Sequence, residues 1–333
     1  METRKVQVTG GSTYTVSLPK DWATENDVGA GSVVELHSEN DLLFLQPHAE
    51  DGRLEGDLDV SGLEGDELTR AVMTMYVSGF EVITLETARL SAQQRRTIRE
   101  ASQRLVGLEV IEETGDHVVL RDLLDSSELS VHNAITRMRL VALTMLEDAV
   151  TALVDNDDAL AQDVKERDDD VDRLWYMVSR VFRTVLRNPA TATDIGFARE
   201  TVFDYHSGAR QLERIADHAS KIADIALDVD DVGADVSERL VALQQAAVEA
   251  PETAMDALLE EDSEEAVRLA TEAREQVEEI DDRMRAVDDA IHDLNDAPRA
   301  QSFGLVVDSL SRTADYGANI AESALQKAAP KPQ

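Results

Sequence analysis

Two stretches of this chain repeat each other on helical spacing, and the repeat restricts the fold more than any other feature. Leu212-Glu213-Arg214-Ile215-Ala216-Asp217-His218-Ala219 lines up with Leu310-Ser311-Arg312-Thr313-Ala314-Asp315-Tyr316-Gly317, and the likeness continues to Asp224 and Glu322. An earlier pair, Asp168 to Leu174 (DDDVDRL) and Glu278 to Met284 (EEIDDRM), precedes each copy. From Ser126 onward apolar residues recur at helical intervals, interrupted at 155–158, Asn188-Pro189, 228–234, 261–263 and 295–298. This predicts six helices of roughly 25 to 35 residues, against a usual mean of about 12. Long helices with short links form antiparallel bundles. The expected fold class is therefore mainly α, with tandem three-helix bundles over 126–230 and 231–333. In the third helix Val202, Tyr205, Ala209, Leu212, Ala216, Ala219, Ala223 and Ala226 alternate spacings of three and four, the seam of a packed bundle.

Ahead of the helices lie two smaller units. Residues 1–48 read as strand, strand, short helix, strand, strand. Lys5 to Val8 and Tyr14 to Leu18 flank the turn signal Gly10-Gly11, Pro19 starts a helical turn over Lys20 to Glu25, and Asn40-Asp41 separates Val33 to Leu36 from Leu42 to Leu45. So short a unit cannot bury a core alone and is expected to pair with a second copy. Residues 49–125 predict a small α/β domain. It has helices over Asp66 to Ser78 and Ser91 to Leu105, a strand over Glu81 to Leu85, and a hairpin from Leu108 to Glu112 and His117 to Arg121.

The charge is lopsided: 68 Asp and Glu face 32 Lys and Arg, a formal net charge of -36, and six of the bases are lysines. In dilute buffer such like charge opposes compaction, and molar salt screens it within about 3 Å, so the composition reads as adaptation to a salt-rich cytoplasm. No secretory pattern and no membrane-length apolar run is visible, so a cytoplasmic protein is expected. The absence of cysteine excludes disulfides, thiolate metal sites and a Cys nucleophile. No phosphate-binding glycine loop and no nucleophile elbow occurs, and no catalytic residue is assigned. His132, His206, His218 and His292 lie apart without metalloprotease spacing, and only His218, beside Asp217, merits testing. Trp22 and Trp175 read as core anchors. Arg173, Arg180, Arg183 and Arg187 pair with surface acids or meet a partner.

Chemistry concentrates in the repeat. Glu213 and Asp217 are four residues apart, hence on one helix face, and so are Asp168 and Asp172 on the preceding helix. Two antiparallel helices bearing these pairs would aim four carboxylates at one point, and oxygen-only donors suit Mg²⁺, Mn²⁺ or Fe. About a fifth of the chain is acidic, so spacing alone leaves a metal site and a solvated acidic face both open.

Leu212 to Ala219, with Ile222-Ala223 after it, resembles the signature of PhoU proteins, and the likeness covers residues 128–327. The resemblance implies twin PhoU-like three-helix bundles that restrain phosphate uptake and signalling. It also implies metal ions held on paired acidic motifs and proposed to attract inorganic phosphate. Carried over, the ligands are Asp168, Asp172, Glu213 and Asp217, with Glu278, Asp282 and Asp315 in the second half. There Ser311 replaces the expected Glu and Asp308 is a possible substitute, so the first half is expected to bind metal better. Arg4 to Pro47 resembles the AbrB/MazE/SpoVT swapped-hairpin domain, which interleaves two chains and commonly binds DNA. The implied contacts are Arg4, Lys5 and Lys20, with Ser12, Thr13 and Tyr14 donating to phosphate.

Together these imply a dimeric, phosphate-responsive transcriptional regulator. One alternative is an adaptor that docks on a phosphate-transporter ATPase or signalling kinase with a head that only dimerises. Another is a metal-dependent phosphohydrolase, for which no general base is visible.

Overall fold

A computed structural model describes residues 3–39, 41–48, 54–124, 130–294 and 296–330. Asn40, Asn295, Lys331 and the expected domain boundaries at 48/49 and 125/126, with Ser126, fall at or within the segments outside the described residues. The chain divides into two compact units, Met1–Arg53 and Leu54–Gln333.

The first unit holds β1 (Gln7–Thr9), β2 (Thr13–Thr15), α1 (Lys20–Glu25), β3 (Val34–Glu39) and β4 (Leu42–Pro47). Gly10 and Gly11 both take positive φ, 66° and 84°, and turn β1 into β2, pairing Val8 with Tyr14. β3 and β4 form a second, separate hairpin in which Leu36 faces Leu45. Among the described side chains none between residues 3 and 48 is buried. Val8, Tyr14, Val33, Leu36 and Leu43 are all more than half exposed. Trp22 is only partly covered, so it anchors no core within one copy.

The second unit opens with β5 (Glu55–Asp59), α2 (Gly65–Val77), β6 (Val82–Glu86), α3 (Ala92–Gln103), β7 (Leu108–Glu113) and β8 (His117–Asp122). The sheet order is β5-β6-β8-β7, with β5 parallel to β6 and the other pairs antiparallel. Ser91 caps α3 in a reciprocal capping box with Gln94. Leu68, Val72, Tyr76, Ile83, Leu85, Ile98 and Leu120 fill the core of this module.

The remainder is helical: α4 (Val131–Asp155), α5 (Asp158–Arg187), α6 (Pro189–Asp194), α7 (Arg199–Asp228), α8 (Ala234–Leu259), α9 (Ser263–Glu278), α10 (Ile280–His292) and α11 (Ala297–Ala328). α4, α5 and α7 form one triplet; α8, the α9–α10 pair and α11 form the other. Every residue of the seam on α7 is buried, and one contiguous hydrophobic core runs through both triplets. Two details depart from six uninterrupted helices. A short α6 fills the link after Asn188, whose side chain caps it. The fifth long helix breaks at Glu279, inside the second acidic motif.

α11 crosses both triplets. A methyl group on Gly317 would lie 2.6 Å from the backbone nitrogen of Pro251, so only glycine lets α11 touch the α8 backbone there. No described helix is long and apolar enough to cross a membrane.

Candidate functional site: a carboxylate cluster between α5 and α7

Lys165 pairs with Asp224 at 2.6 Å, and further along the helices the Phe182 and Phe203 rings lie 5.9 Å apart. These contacts set α5 and α7 antiparallel, and Asp168, Asp172, Glu213 and Asp217 fall between them. Asp157 starts α5 by accepting from the Ala159 and Leu160 amides, and its side chain fixes the helix phase. Glu213 sits one position past Leu212 of the seam and is 9% exposed. Asp168 and Asp172 are half-buried, and Asp217 is exposed.

The charges oppose one another. Burial, then the neighbouring charges of Asp168, Glu213 and Asp217, push the Asp172 carboxyl up to about 7. Burial and the Asp217 charge push Asp168 up to about 6. Burial raises Glu213 too, against the pull of Arg210. Arg210 donates from Nη1 to Glu213 Oε1 at 2.6 Å, and its guanidinium lies 5.2 Å from the Trp175 ring centre. The second carboxylate oxygen, Oε2, is buried with no hydrogen-bond partner among the described residues. A buried acceptor without a donor is costly, and at a convergence of acids a cation satisfies it best.

The donor set therefore fits a hard cation in its chemistry: oxygen only, mutually repelling, with one acceptor vacant. Among the described residues, however, no three His, Asp or Glu side chains are arranged to hold an ion. The four acids share a field rather than form a closed coordination shell.

The second set is not gathered in this way. Glu278 ends α9 and Asp282 belongs to α10, with Glu279 between the two helices, and both acids are exposed. Asp282, with a side chain 86% exposed, pairs with Arg285 at 2.7 Å. Asp308 faces Arg312 at 3.8 Å, and Asp315 is exposed. Solvation and arginines of their own helices occupy Asp282 and Asp308.

In the first unit Arg4, Lys5, Ser12, Thr13, Tyr14 and Lys20 are all exposed, on the approach to β1, the β1–β2 hairpin and the first residue of α1. Trp175, expected in the core, is half-buried under Arg210 and 4.8 Å from His206.

Two contacts that hold the site's helices in place were not foreseen from the sequence. Arg180 is 5% exposed and reaches out of the bundle to the α/β module. Its guanidinium donates to the Tyr76 carbonyl at 2.6 Å and the Phe80 carbonyl at 2.9 Å, and pairs with Asp122 at 2.8 Å. An arginine inside the apolar run Met177-Val178-Ser179-Arg180-Val181 was the available signal. Asp172, Tyr176 and Arg180 follow at four-residue steps, so α5 carries the carboxylate cluster and the module clamp along one line. The second contact, His218 with Tyr316, joins the two repeats directly, Nε2 to hydroxyl at 3.2 Å.

Comparison with known proteins places these features. Residues 135–226 match the family model described as PhoU domain, a segment that contains all four clustered acids. Residues 7–52 match the model of MazE, a bacterial antitoxin of antidote-toxin recognition. No curated protein matches the chain significantly. A crystal structure of PhoU from Pseudomonas aeruginosa superposes with a TM-score of 0.51 at 23% identity, covering 60% of this chain and 96% of that one. A phosphate transport system regulatory protein PhoU from Streptococcus pneumoniae gives 0.48 at 21%, covering 59% and 91%. The Pseudomonas match establishes a shared helical fold, and with the two family models it shows a chain that joins a MazE-type N-terminal segment to PhoU-type helical bundles.

Proposed function

We propose that this chain is a phosphate-responsive regulator of phosphate uptake, which binds a metal ion in its first helical triplet and DNA through a dimeric N-terminal unit. Glu213 carries the reading: a buried acid with one oxygen unsatisfied, beside three other carboxylates, inside the PhoU-matching segment. Asp168, Asp172, Glu213 and Asp217 would hold an ion of the Mg²⁺, Mn²⁺ or Fe type. When bound, such an ion supplies the positive charge that inorganic phosphate requires. The chain's own part is to keep Asp168, Asp172 and Glu213 partly out of water, where repulsion among the four acids is strong. Arg210 meanwhile occupies one oxygen of Glu213.

The N-terminal unit supports the dimer by its lack of any buried described side chain. A second copy would cover Val8, Leu36 and Leu43 and double Arg4, Lys5 and Lys20, which matters because phosphate neutralisation governs non-specific DNA affinity. A second reading keeps this head as a dimerisation module only and docks the bundles on a transporter ATPase or signalling kinase. Its support is that residues 1–20 carry three bases among largely apolar and neutral side chains.

Mn²⁺ titration of the full chain tests the metal reading. Binding that is lost in Asp172→Asn/Glu213→Gln supports it, and no binding by the wild type sinks it. Crosslinking to the genome in phosphate-rich and phosphate-poor cells separates the two readings of the head. Peaks upstream of phosphate-transporter genes select the first; capture of the transporter ATPase without DNA selects the second.

A further inference from the structure

The two oxygens of Glu213 stand in different situations. Oε1 accepts from Arg210 Nη1 at 2.6 Å, while Oε2 is buried with no partner among the described residues. The two side chains differ in freedom, since that of Glu213 is 12% exposed and that of Arg210 is 41%. Arg210 also has a second place to rest. Its guanidinium lies 5.2 Å from the Trp175 ring centre, Trp175 lies 4.8 Å from His206, and His206 stacks on Phe182 at 4.5 Å. His206 and Arg210 are four residues apart on α7 and share a face, so these rings form a shelf along the α5–α7 groove beside the acids. The shelf is uncharged at neutral pH, because burial and then the Arg183 and Arg210 charges hold His206 down to about 4. A guanidinium over a ring is stabilised there without a carboxylate.

Other bases reach the acids at longer range. Arg214 acts on Glu213 and Lys221 on Asp168 through charge without a hydrogen bond, and Arg214 stands 5.7 Å from the Tyr316 ring centre. Arg210 is thus the base in direct contact with the cluster. The oxygens of one carboxylate are so close that a cation on Oε2 stands beside a guanidinium on Oε1. Like charges at that range in a half-buried site repel strongly. One tethered positive charge also offsets less of the repulsion among four carboxylates than a divalent ion does.

We propose that Arg210 is the built-in counter-cation of the cluster: it holds Glu213 when no ion is bound, competes with a divalent ion for that carboxylate, and so sets the affinity of the site. When displaced, Arg210 stays on the Trp175 ring. This rests on the metal reading of the four acids and adds to it the residue that regulates binding.

Calorimetric titration of Mn²⁺ into the full chain at pH 8 tests it. Arg210→Met removes the charge and keeps an apolar stem against Trp175. It should tighten Mn²⁺ binding about tenfold. Arg210→Lys keeps a tethered charge and should stay near the wild type. Arg210→Gln takes the place of the Met variant if that chain fails to fold. A wild type that binds Mn²⁺, with equal or weaker binding in Arg210→Met, overturns the proposal and leaves the metal reading standing. A chain that binds no Mn²⁺ with or without Arg210 overturns both. A second readout needs no metal. Arg210→Met should lower the melting temperature of the metal-free chain, and should lower it less in a Glu213→Gln background, where the charge that Arg210 serves is gone. Equal losses in the two backgrounds overturn the proposal.

Discussion

His218 and Tyr316 occupy equivalent positions of the internal repeat, and they touch each other: Nε2 of the imidazole lies 3.2 Å from the phenol oxygen, with ring centres 5.7 Å apart. α7 and α11 therefore meet back to back at the repeated motif, near a local two-fold relation between the triplets. Arg214 reinforces the contact with its guanidinium 5.7 Å from the Tyr316 ring centre. Tyr316→Phe should cost about 0.5–1.5 kcal/mol, the worth of one hydrogen bond, and Tyr316→Ala more because it also removes the ring. Denaturant unfolding of both variants measures the difference, and an equal loss would show that the ring contributes nothing.

Arg180 predicts a larger effect. Removing it leaves Asp122, with a side chain 6% exposed, without its charge partner and strips donors from the Tyr76 and Phe80 carbonyls. Arg180→Ala should destabilise by about 3–5 kcal/mol. Calorimetry should then show the α/β module melting ahead of the helices. A single undisturbed transition would mean the clamp does not couple them.

Asp172 should behave in the opposite way. Its folded-state value of about 7 lies above the ordinary carboxylate range, so its favourable contribution is complete below the unfolded value. That contribution is lost as pH rises through about 7. In metal-free buffer near pH 8, Asp172→Asn should be more stable than the wild type, on the order of 2 kcal/mol, and near pH 4 the two should converge. The same substitution should remove any stabilisation by Mn²⁺. Melting curves at the two pH values, with and without Mn²⁺, check both statements.

The first unit should fail when its apolar face is charged. Leu43 is 64% exposed in one copy, so Leu43→Lys loses no burial unless a second copy covers it. Light scattering should show the full chain passing from dimer to monomer, with circular dichroism of the helices unchanged. A dimer that persists would place the interface elsewhere.

Salt should stabilise the molecule. Raising KCl from about 0.1 M to 1 M shortens the Debye length from roughly 10 Å to 3 Å and should raise the melting temperature. A flat or falling response would remove the reading of the charge excess as adaptation to salt.

Much of this was legible in the sequence for physical reasons. The α7 seam declares itself because three-and-four spacing of small and apolar residues has no other use, and Ser91 announces α3 because a capping box is local chemistry. β5 was not legible: Glu55-Gly56-Asp57-Leu58-Asp59 has little strand propensity and is held by pairing with β6. The break at Glu279 is equally silent, with neither Gly nor Pro to mark it. The convergence of Asp168, Asp172, Glu213 and Asp217 could be anticipated from spacing. The vacancy at Glu213 Oε2 and the burial of Arg180 could not, since each depends on what another element presents.

The uncovered hairpins of the first unit carry a consequence for concentration. If all their packing energy comes from a second molecule, the assembled head is bimolecular and its population depends on how many chains the cell holds. At low copy number most heads would stand alone while the helical bundles, which carry their own core, remain folded. The abundance of the protein would then be an input in its own right, read before any ion or phosphate arrives.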